Sequence, residues 1–121
     1  MDATTLPDID PALGMLGQYA KVAKGTTAMV HKMRQTAIYA DGCFPAKVKV
    51  LAAMLWSVSA RCEPCVKHYA AKAKEYGATD EEVGEFLALA SAMGGCVGET
   101  WALKAYSAYK EDGADAGACC T

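Results

Sequence analysis

The chain has 121 residues, a length that fits one domain with a core of its own. Twelve basic and fourteen acidic residues leave a formal charge of −2. Because the basic residues form no extended cluster and the net charge is slightly negative, neither nucleic acid nor an anionic membrane is expected as the main partner. Six cysteines follow an acidic start that lacks an apolar signal region. We therefore expect a reducing compartment, the cytoplasm, and no membrane span.

The composition is rich in Ala, Lys, Leu, Glu and Met and lacks alternating strand patterns, so we predict an all-α fold. Apolar spacing and end signals predict about six helices, at residues 11–24, 27–40, 45–60, 63–76, 79–93 and 97–110. Asp10 is the expected N-cap of the first helix. Thr79 and Glu82 have the spacing of a capping box at the start of the fifth. Gly94-Gly95 separates the last two helices.

We predict a single domain over residues 1–121. Its helical core spans 11–110, and residues 111–121 form a flexible tail that ends in two cysteines. The last helix carries apolar residues on two faces, one through Trp101 and the other through Leu103. Because a short helix with two apolar faces needs more than one packing partner, the pattern predicts self-association into a homo-oligomer.

Cys62-Glu63-Pro64-Cys65 is a C-x-x-C motif at the predicted start of the fourth helix. Amide groups and the dipole at a helix N-terminus stabilise a thiolate, which is the reactive form of cysteine. Two thiols at this spacing can close a disulfide with little rearrangement. His68 lies three residues beyond Cys65 on the same side of the helix, where it can accept a proton or pair with a thiolate. The motif predicts a redox-active dithiol.

The same motif has two other interpretations, half of a zinc site or a pair of inert thiols. Zinc usually takes four ligands, and the remaining candidates are Cys96, His31 and the tail pair Cys119-Cys120. Cys43 and Cys96 are predicted to be buried packing residues, with a place in the lining of the active pocket as the alternative for Cys96 beside Gly94-Gly95. The tail pair is left open between an electron relay, capture of a soft metal or metalloid, and no function. Four methionines are predicted to fill the core, at positions 29, 33, 54 and 93.

Three segments match the pattern of a known family: FPAKVKVLAAMLWSVSARCEPC, YGATDEEVGEFLALASAMGG, and the helix that holds Trp101. In them the chain resembles the AhpD-like alkylhydroperoxidase and carboxymuconolactone decarboxylase family. The resemblance implies an all-helical fold, assembly into homotrimers or homohexamers, and no bound cofactor. In the redox branch a dithiol reduces a small hydroperoxide. The second cysteine attacks and the first resolves, roles that fall here to Cys65 and Cys62.

Two positions depart from the family's peroxidase pattern. The histidine expected four residues after the second cysteine is replaced by Tyr69, with His68 one residue earlier. The glutamate expected twelve residues before the first cysteine is replaced by Val50. Glu99 is the candidate substitute as general base, with a first-turn residue that complements the helix dipole as its alternative role. Tyr69 is the candidate hydrogen-bond donor to the reacting oxygen.

Three functions remain open from the sequence. The first is a peroxidase-like, antioxidant thiol oxidoreductase that an external thiol, dithiol carrier or reductase protein regenerates. The second is a soft-metal or metalloid binding protein that uses the motif pair, Cys62 and Cys65, together with the tail pair, Cys119 and Cys120. The third is a decarboxylase-type lyase acting on a lactone, which does not need the dithiol. The C-x-x-C motif favours the first.

Overall fold

A computed structural model describes residues 10–111, within which the chain forms helices and turns but no strand. The elements are a short 3-10 helix (Pro11–Met15), α1 (Leu16–Val22), α2 (Thr26–Ala37), α3 (Ala46–Ala60), α4 (Glu63–Glu75) and α5 (Asp80–Lys110). The all-α prediction is confirmed, and the predicted helix limits agree to within a few residues except at the first and last helices. The predictions for the tail, including Cys119-Cys120, lie outside the described residues.

The described chain divides into two compact units, of which the first contains residues 10–37 and Glu111. As predicted, Asp10 caps the first turn, where its Oδ1 accepts a hydrogen bond from the Ala12 amide at 3.0 Å. The predicted first helix begins as a 3-10 turn and becomes α-helical only at Leu16. None of the three helices in this unit contains a buried residue.

The prediction that all four methionines fill the core is wrong for three of them. Met54 is fully buried, whereas Met29, Met33 and Met93 are 63%, 60% and 87% exposed. Apolar spacing on a helix shows that one face avoids water, but it does not show which chain covers that face. These side chains remain uncovered within one chain.

The second unit spans residues 38–110 and contains the hydrophobic core. Helices α3, α4 and α5 pack against one another around it. The largest fully buried side chains are Leu51, Met54, Val50, Val66, Val83 and Ser57. Most of them lie on α3, because its apolar residues recur at the spacing of one helix face. The Ser57 hydroxyl is satisfied in this apolar setting, since it donates to the Ala53 carbonyl at 2.8 Å.

Helix α5 reverses direction at Gly95, whose φ of 59° and ψ of −138° are not helical. The chain runs out along 80–94 and returns along 96–110. Contacts between its two ends show the reversal: the Tyr106 hydroxyl donates to Asp80 at 3.1 Å, and Lys110 Nζ lies 3.3 Å from the same carboxylate. The two arms correspond to the predicted fifth and sixth helices, so the Gly94-Gly95 break is a tight turn between them.

By length and hydropathy alone, α5 would qualify as one membrane-spanning helix among the described residues. The reversal at Gly95 divides this helix into two shorter arms. Each arm contains about 15 residues, whereas a spanning helix needs about 20 apolar residues in one direction. Neither arm is therefore long enough to cross a bilayer.

The predicted capping box is present at the start of α5. The Glu82 amide donates to Thr79 Oγ1 at 3.1 Å, and the Thr79 amide donates to Glu82 Oε1 at 2.9 Å. Lys47 Nζ lies 3.0 Å from the other carboxylate oxygen and ties α3 to this turn. The hydrogen bond from the Thr79 amide, followed by that from Lys47, lowers the pKa of Glu82 below its ordinary value of 4.5.

We predict that Glu82→Gln makes the stability of the protein less sensitive to acid. A carboxyl group whose pKa is lowered in the folded state stabilises the fold above its unfolded pKa. That contribution disappears as the pH falls through the folded pKa. Glutamine can still accept the Thr79 amide but carries no charge. In urea unfolding at pH 7 and pH 3, the loss of stability on acidification should be smaller in Glu82→Gln than in the wild type. Equal losses would contradict the prediction.

Candidate functional site

The turn between α3 and α4 sets the position of the dithiol. Arg61 adopts the left-handed conformation, with φ of 56° and ψ of 42°. Its amide donates to the Val58 carbonyl at 3.1 Å, and the Cys62 amide donates to the Ser57 carbonyl, also at 3.1 Å. This pair of bonds is a Schellman motif, which ends one helix and redirects the chain within two residues. Cys62 is thereby fixed directly against the end of α3.

Both motif cysteines lie in the first turn of α4, and neither forms a disulfide in the structure. Cys62 is the N-cap residue, and Cys65 is the third residue of the helix. An N-cap side chain accepts from the second or third amide, and Pro64 in the second position has no amide hydrogen. The capping donor available to a Cys62 thiolate is therefore the amide of Cys65. Both side chains are partly exposed, and Cys65 also packs against the core.

His68 lies one turn beyond Cys65 and is half-buried. Its Nε2 is 3.3 Å from the hydroxyl oxygen of Tyr39, a residue of the segment between α2 and α3. Its ring makes an edge-to-face contact with the ring of Tyr69, with the ring centroids 4.9 Å apart and the ring planes at 82°. Tyr69 is buried in the core, so the role that its position supports is packing against His68. Its predicted part as a hydrogen-bond donor stays a prediction.

Tyr39 is the residue of this site that sequence analysis missed. Its ring lies 5.7 Å from that of Tyr76, and the ammonium of Lys72 lies 5.5 Å above it. Because Tyr39 and His68 are 29 positions apart, no local spacing connects them. The only signal was Ile38-Tyr39, an apolar pair just before the Asp41-Gly42 turn. Such a pair beside a turn indicates packing against another element, but the sequence does not identify that element.

Glu99 is exposed on the second arm of α5. It lines an open groove of about 210 Å³ between the two arms. The other lining residues are Gly84, Leu87, Ala88, Ser91, Ala102, Leu103 and Tyr106. Neither Cys62 nor Cys65 lines this groove. The structure groups the dithiol with His68 and Tyr69 on α4 and places Glu99 in a different setting, so its assignment as general base stays a prediction.

Val50 is completely buried in the core on α3. The family pattern has a glutamate at this position, and a carboxylate there would need a buried partner. An apolar side chain fits the packing of this chain instead.

The prediction that Cys43 and Cys96 are buried packing residues is wrong, since both thiols are exposed. Cys43 follows the Asp41-Gly42 turn, and Cys96 follows the reversal at Gly95, so each lies where the backbone bends at the surface. Between residues 10 and 111, no group of three or more His, Cys, Asp or Glu side chains is arranged to hold a metal ion. The tail cysteines of the metal-binding hypothesis are outside that range.

We predict that Arg61→Gly stabilises the protein by about 0.5–1 kcal/mol, because glycine adopts the left-handed conformation without the steric cost that a Cβ imposes. Arg61→Ala keeps the Cβ and is the matched control, for which we expect no gain. Chemical denaturation of both variants measures the difference. Equal stability of the glycine and alanine variants would show that this turn is not strained.

The fold and the site together define a class: an all-helical domain with a dithiol in the first turn of a core helix. Comparison with protein families identifies the family to which the sequence belongs. The chain belongs to the carboxymuconolactone decarboxylase family, whose profile matches residues 25–108.

Two relatives illustrate this membership. An uncharacterized protein of Cupriavidus necator is 35% identical over 106 residues, which cover 88% of this chain and 90% of that protein. The crystal structure of an apo carboxymuconolactone decarboxylase family protein from Legionella pneumophila is similar in fold, with a TM-score of 0.79. It is 27% identical, and the match covers 86% of this chain and 92% of that one. The family resemblance expected from the sequence is thus confirmed.

Proposed function

We propose that the protein is a thiol-dependent oxidoreductase that reduces small hydroperoxides through Cys62 and Cys65. The observation that carries this proposal is the pair of partly exposed cysteines in the first turn of α4, with His68 one turn further on. Thiolates of C-x-x-C motifs at helix N-termini are the nucleophiles of many redox proteins. A decarboxylase-type lyase of the same family would have no need of a dithiol at this position.

The reaction takes place in two steps. The Cys65 thiolate attacks the terminal oxygen of the hydroperoxide, the O–O bond breaks, and the alkoxide leaves and takes up a proton to become an alcohol. Cys65 is then a sulfenic acid. The Cys62 thiol attacks the Cys65 sulfur, forms the disulfide and releases the hydroxyl group as water. Two electrons have passed from the dithiol to the peroxide, and an external dithiol carrier or reductase restores them.

We also propose that several copies of the chain assemble, as a trimer or hexamer. Exposed apolar side chains support this, because a single chain leaves much of its apolar surface in water. In the unit that holds the dithiol they are Phe44, Trp56, Leu89, Met93, Val97 and Leu103. The dithiol and its reductant require a reducing compartment, which we take to be the cytoplasm.

Thiol titration tests the proposed function. One equivalent of an organic hydroperoxide should remove two titratable thiols from the wild-type protein, and a dithiol should restore them. The Cys62→Ser, Cys65→Ser double variant should lose this reaction. Cys43→Ser, Cys96→Ser is the matched control, since it removes two exposed thiols away from α4. Equal peroxide consumption by the double variant and the control would overturn the proposal, and lactone turnover by the double variant would favour the lyase.

A further inference from the structure

The hydrogen bond between Tyr39 and His68 gives the dithiol site a second element, the segment that precedes α3. The two residues come from parts of the unit that no local sequence pattern connects, yet the Tyr39 oxygen lies 3.3 Å from His68 Nε2. Both side chains are half-buried, which shields the bond from competition with water. The tautomer of His68 decides which of the two partners supplies the proton of this bond.

The chemistry of the two groups favours the tyrosine as donor. A phenol is a better hydrogen-bond donor than acceptor, because its lone pairs are delocalised into the ring. The unprotonated nitrogen of a neutral imidazole is a good acceptor. The Lys72 ammonium, 5.5 Å from the centroid of the Tyr39 ring, draws electron density toward itself and strengthens the phenol as a donor.

A donor at Nε2 determines where the proton of a neutral histidine resides. With Nε2 accepting, the proton must be on Nδ1, because neutral imidazole carries only one. Nδ1 is the nitrogen nearer to the helix backbone. Side chains of an α-helix lean toward its N-terminus, and Cys65 lies one turn from His68 in that direction. An Nδ1–H group turned toward that residue can donate to its thiolate.

We propose that Tyr39 is a positioning residue of the dithiol site, whose hydroxyl holds His68 with Nδ1–H directed toward Cys65. The proposal deepens the proposed function and rests on it, since it assigns a partner to the attacking thiolate. Tyr69 supports the same arrangement, because its edge-to-face contact restricts rotation of the imidazole. The phenol acts through the imidazole and does not touch the sulfur.

Nitrogen NMR of the histidine rings tests the tautomer directly. The chain has two histidines, and His31 is exposed on α2 and serves as the internal reference for a solvated ring. At a pH where both are neutral, His68 should show the Nδ1–H tautomer, whereas His31 should show the Nε2–H form that water favours. In Tyr39→Phe the His68 shifts should move toward those of His31. Tyr76→Phe keeps the aromatic cluster and the Tyr39 hydroxyl, so it should leave them unchanged.

Alkylation of Cys65 by iodoacetamide adds a second readout, measured in a Cys62→Ser background. Loss of the donor should lower the rate about tenfold in Tyr39→Phe and less than about twofold in Tyr76→Phe. An Nε2–H tautomer of His68 in the wild type would overturn the proposal, and so would equal alkylation rates in the two variants. Neither readout uses a hydroperoxide, so a failure of the proposed peroxide reduction is distinguishable from a failure of this inference.

Discussion

Gly98→Ala should destabilise the protein by about 3 kcal/mol, a loss of about 12 °C in Tm for a chain of 121 residues. The two arms of α5 approach closely at this position. A Cβ built on Gly98 would overlap the carbonyl oxygen of Ala90 and would lie 2.9 Å from its carbonyl carbon. These are backbone atoms of a helix, so they cannot move aside as the end of a flexible side chain could. The variant must separate the arms and lose packing between them.

Gly84→Ala is the matched control for that variant. Gly84 also lies in α5, but a Cβ there meets nothing within 4 Å. Alanine in an open helical position should be neutral or should stabilise by up to about 1 kcal/mol, because glycine is a poor helix former. Thermal and urea unfolding of both variants measure the contrast. Similar stability of Gly98→Ala and Gly84→Ala would show that the arms are not in close contact.

Cys65→Ser should abolish oxidation of the site by hydroperoxide, whereas Cys62→Ser should permit one turnover and stop at a sulfenic acid. The difference follows from the proposed order of attack: without Cys65 no sulfur receives the peroxide oxygen, and without Cys62 no thiol displaces it. Trapping with a dimedone reagent and mass measurement detects the sulfenic acid.

The reverse pattern is the physical alternative to this assignment. Cys62 is the N-cap residue of α4, a position where a thiolate could accept the Cys65 amide although its side chain makes no capping hydrogen bond in the structure, and this position would favour Cys62 as the attacking thiolate. A sulfenic acid on Cys62 in Cys65→Ser, and none in Cys62→Ser, would exchange the two roles. Cys96→Ser is the control, because its thiol is exposed at the reversal of α5, and it should oxidise as the wild type does.

Local chemistry made several features of this protein predictable from its sequence. The capping box at Thr79 and Glu82 depends on residues three apart, and both of its hydrogen bonds are present. The dithiol falls in a first helical turn because Pro64 is tolerated there and not further inside a helix. Glycine marked the reversal in α5, since the φ of 59° at Gly95 is one that other residues adopt only at a cost.

Features that depend on tertiary approach could not be predicted in this way. The need for glycine at position 98 arises from a backbone eight positions earlier in the chain, after a reversal whose geometry the sequence does not state. The contact between Tyr39 and His68 likewise joins residues that are distant in sequence, 29 positions apart. The exposure of Cys43 and Cys96 was missed because cysteine is usually buried, and that tendency gives no information about a particular bend.

Mass mapping of the peroxide-treated protein tests the central claim most directly. Trypsin cleaves after Arg61 and Lys67 and releases residues 62–67, one peptide that contains both motif cysteines. After one equivalent of hydroperoxide and blocking of the remaining thiols, we predict that this peptide loses two hydrogens and escapes alkylation. Addition of a dithiol before blocking should restore two alkylated cysteines. A fully alkylated peptide after peroxide treatment, with the peroxide consumed, would contradict the account.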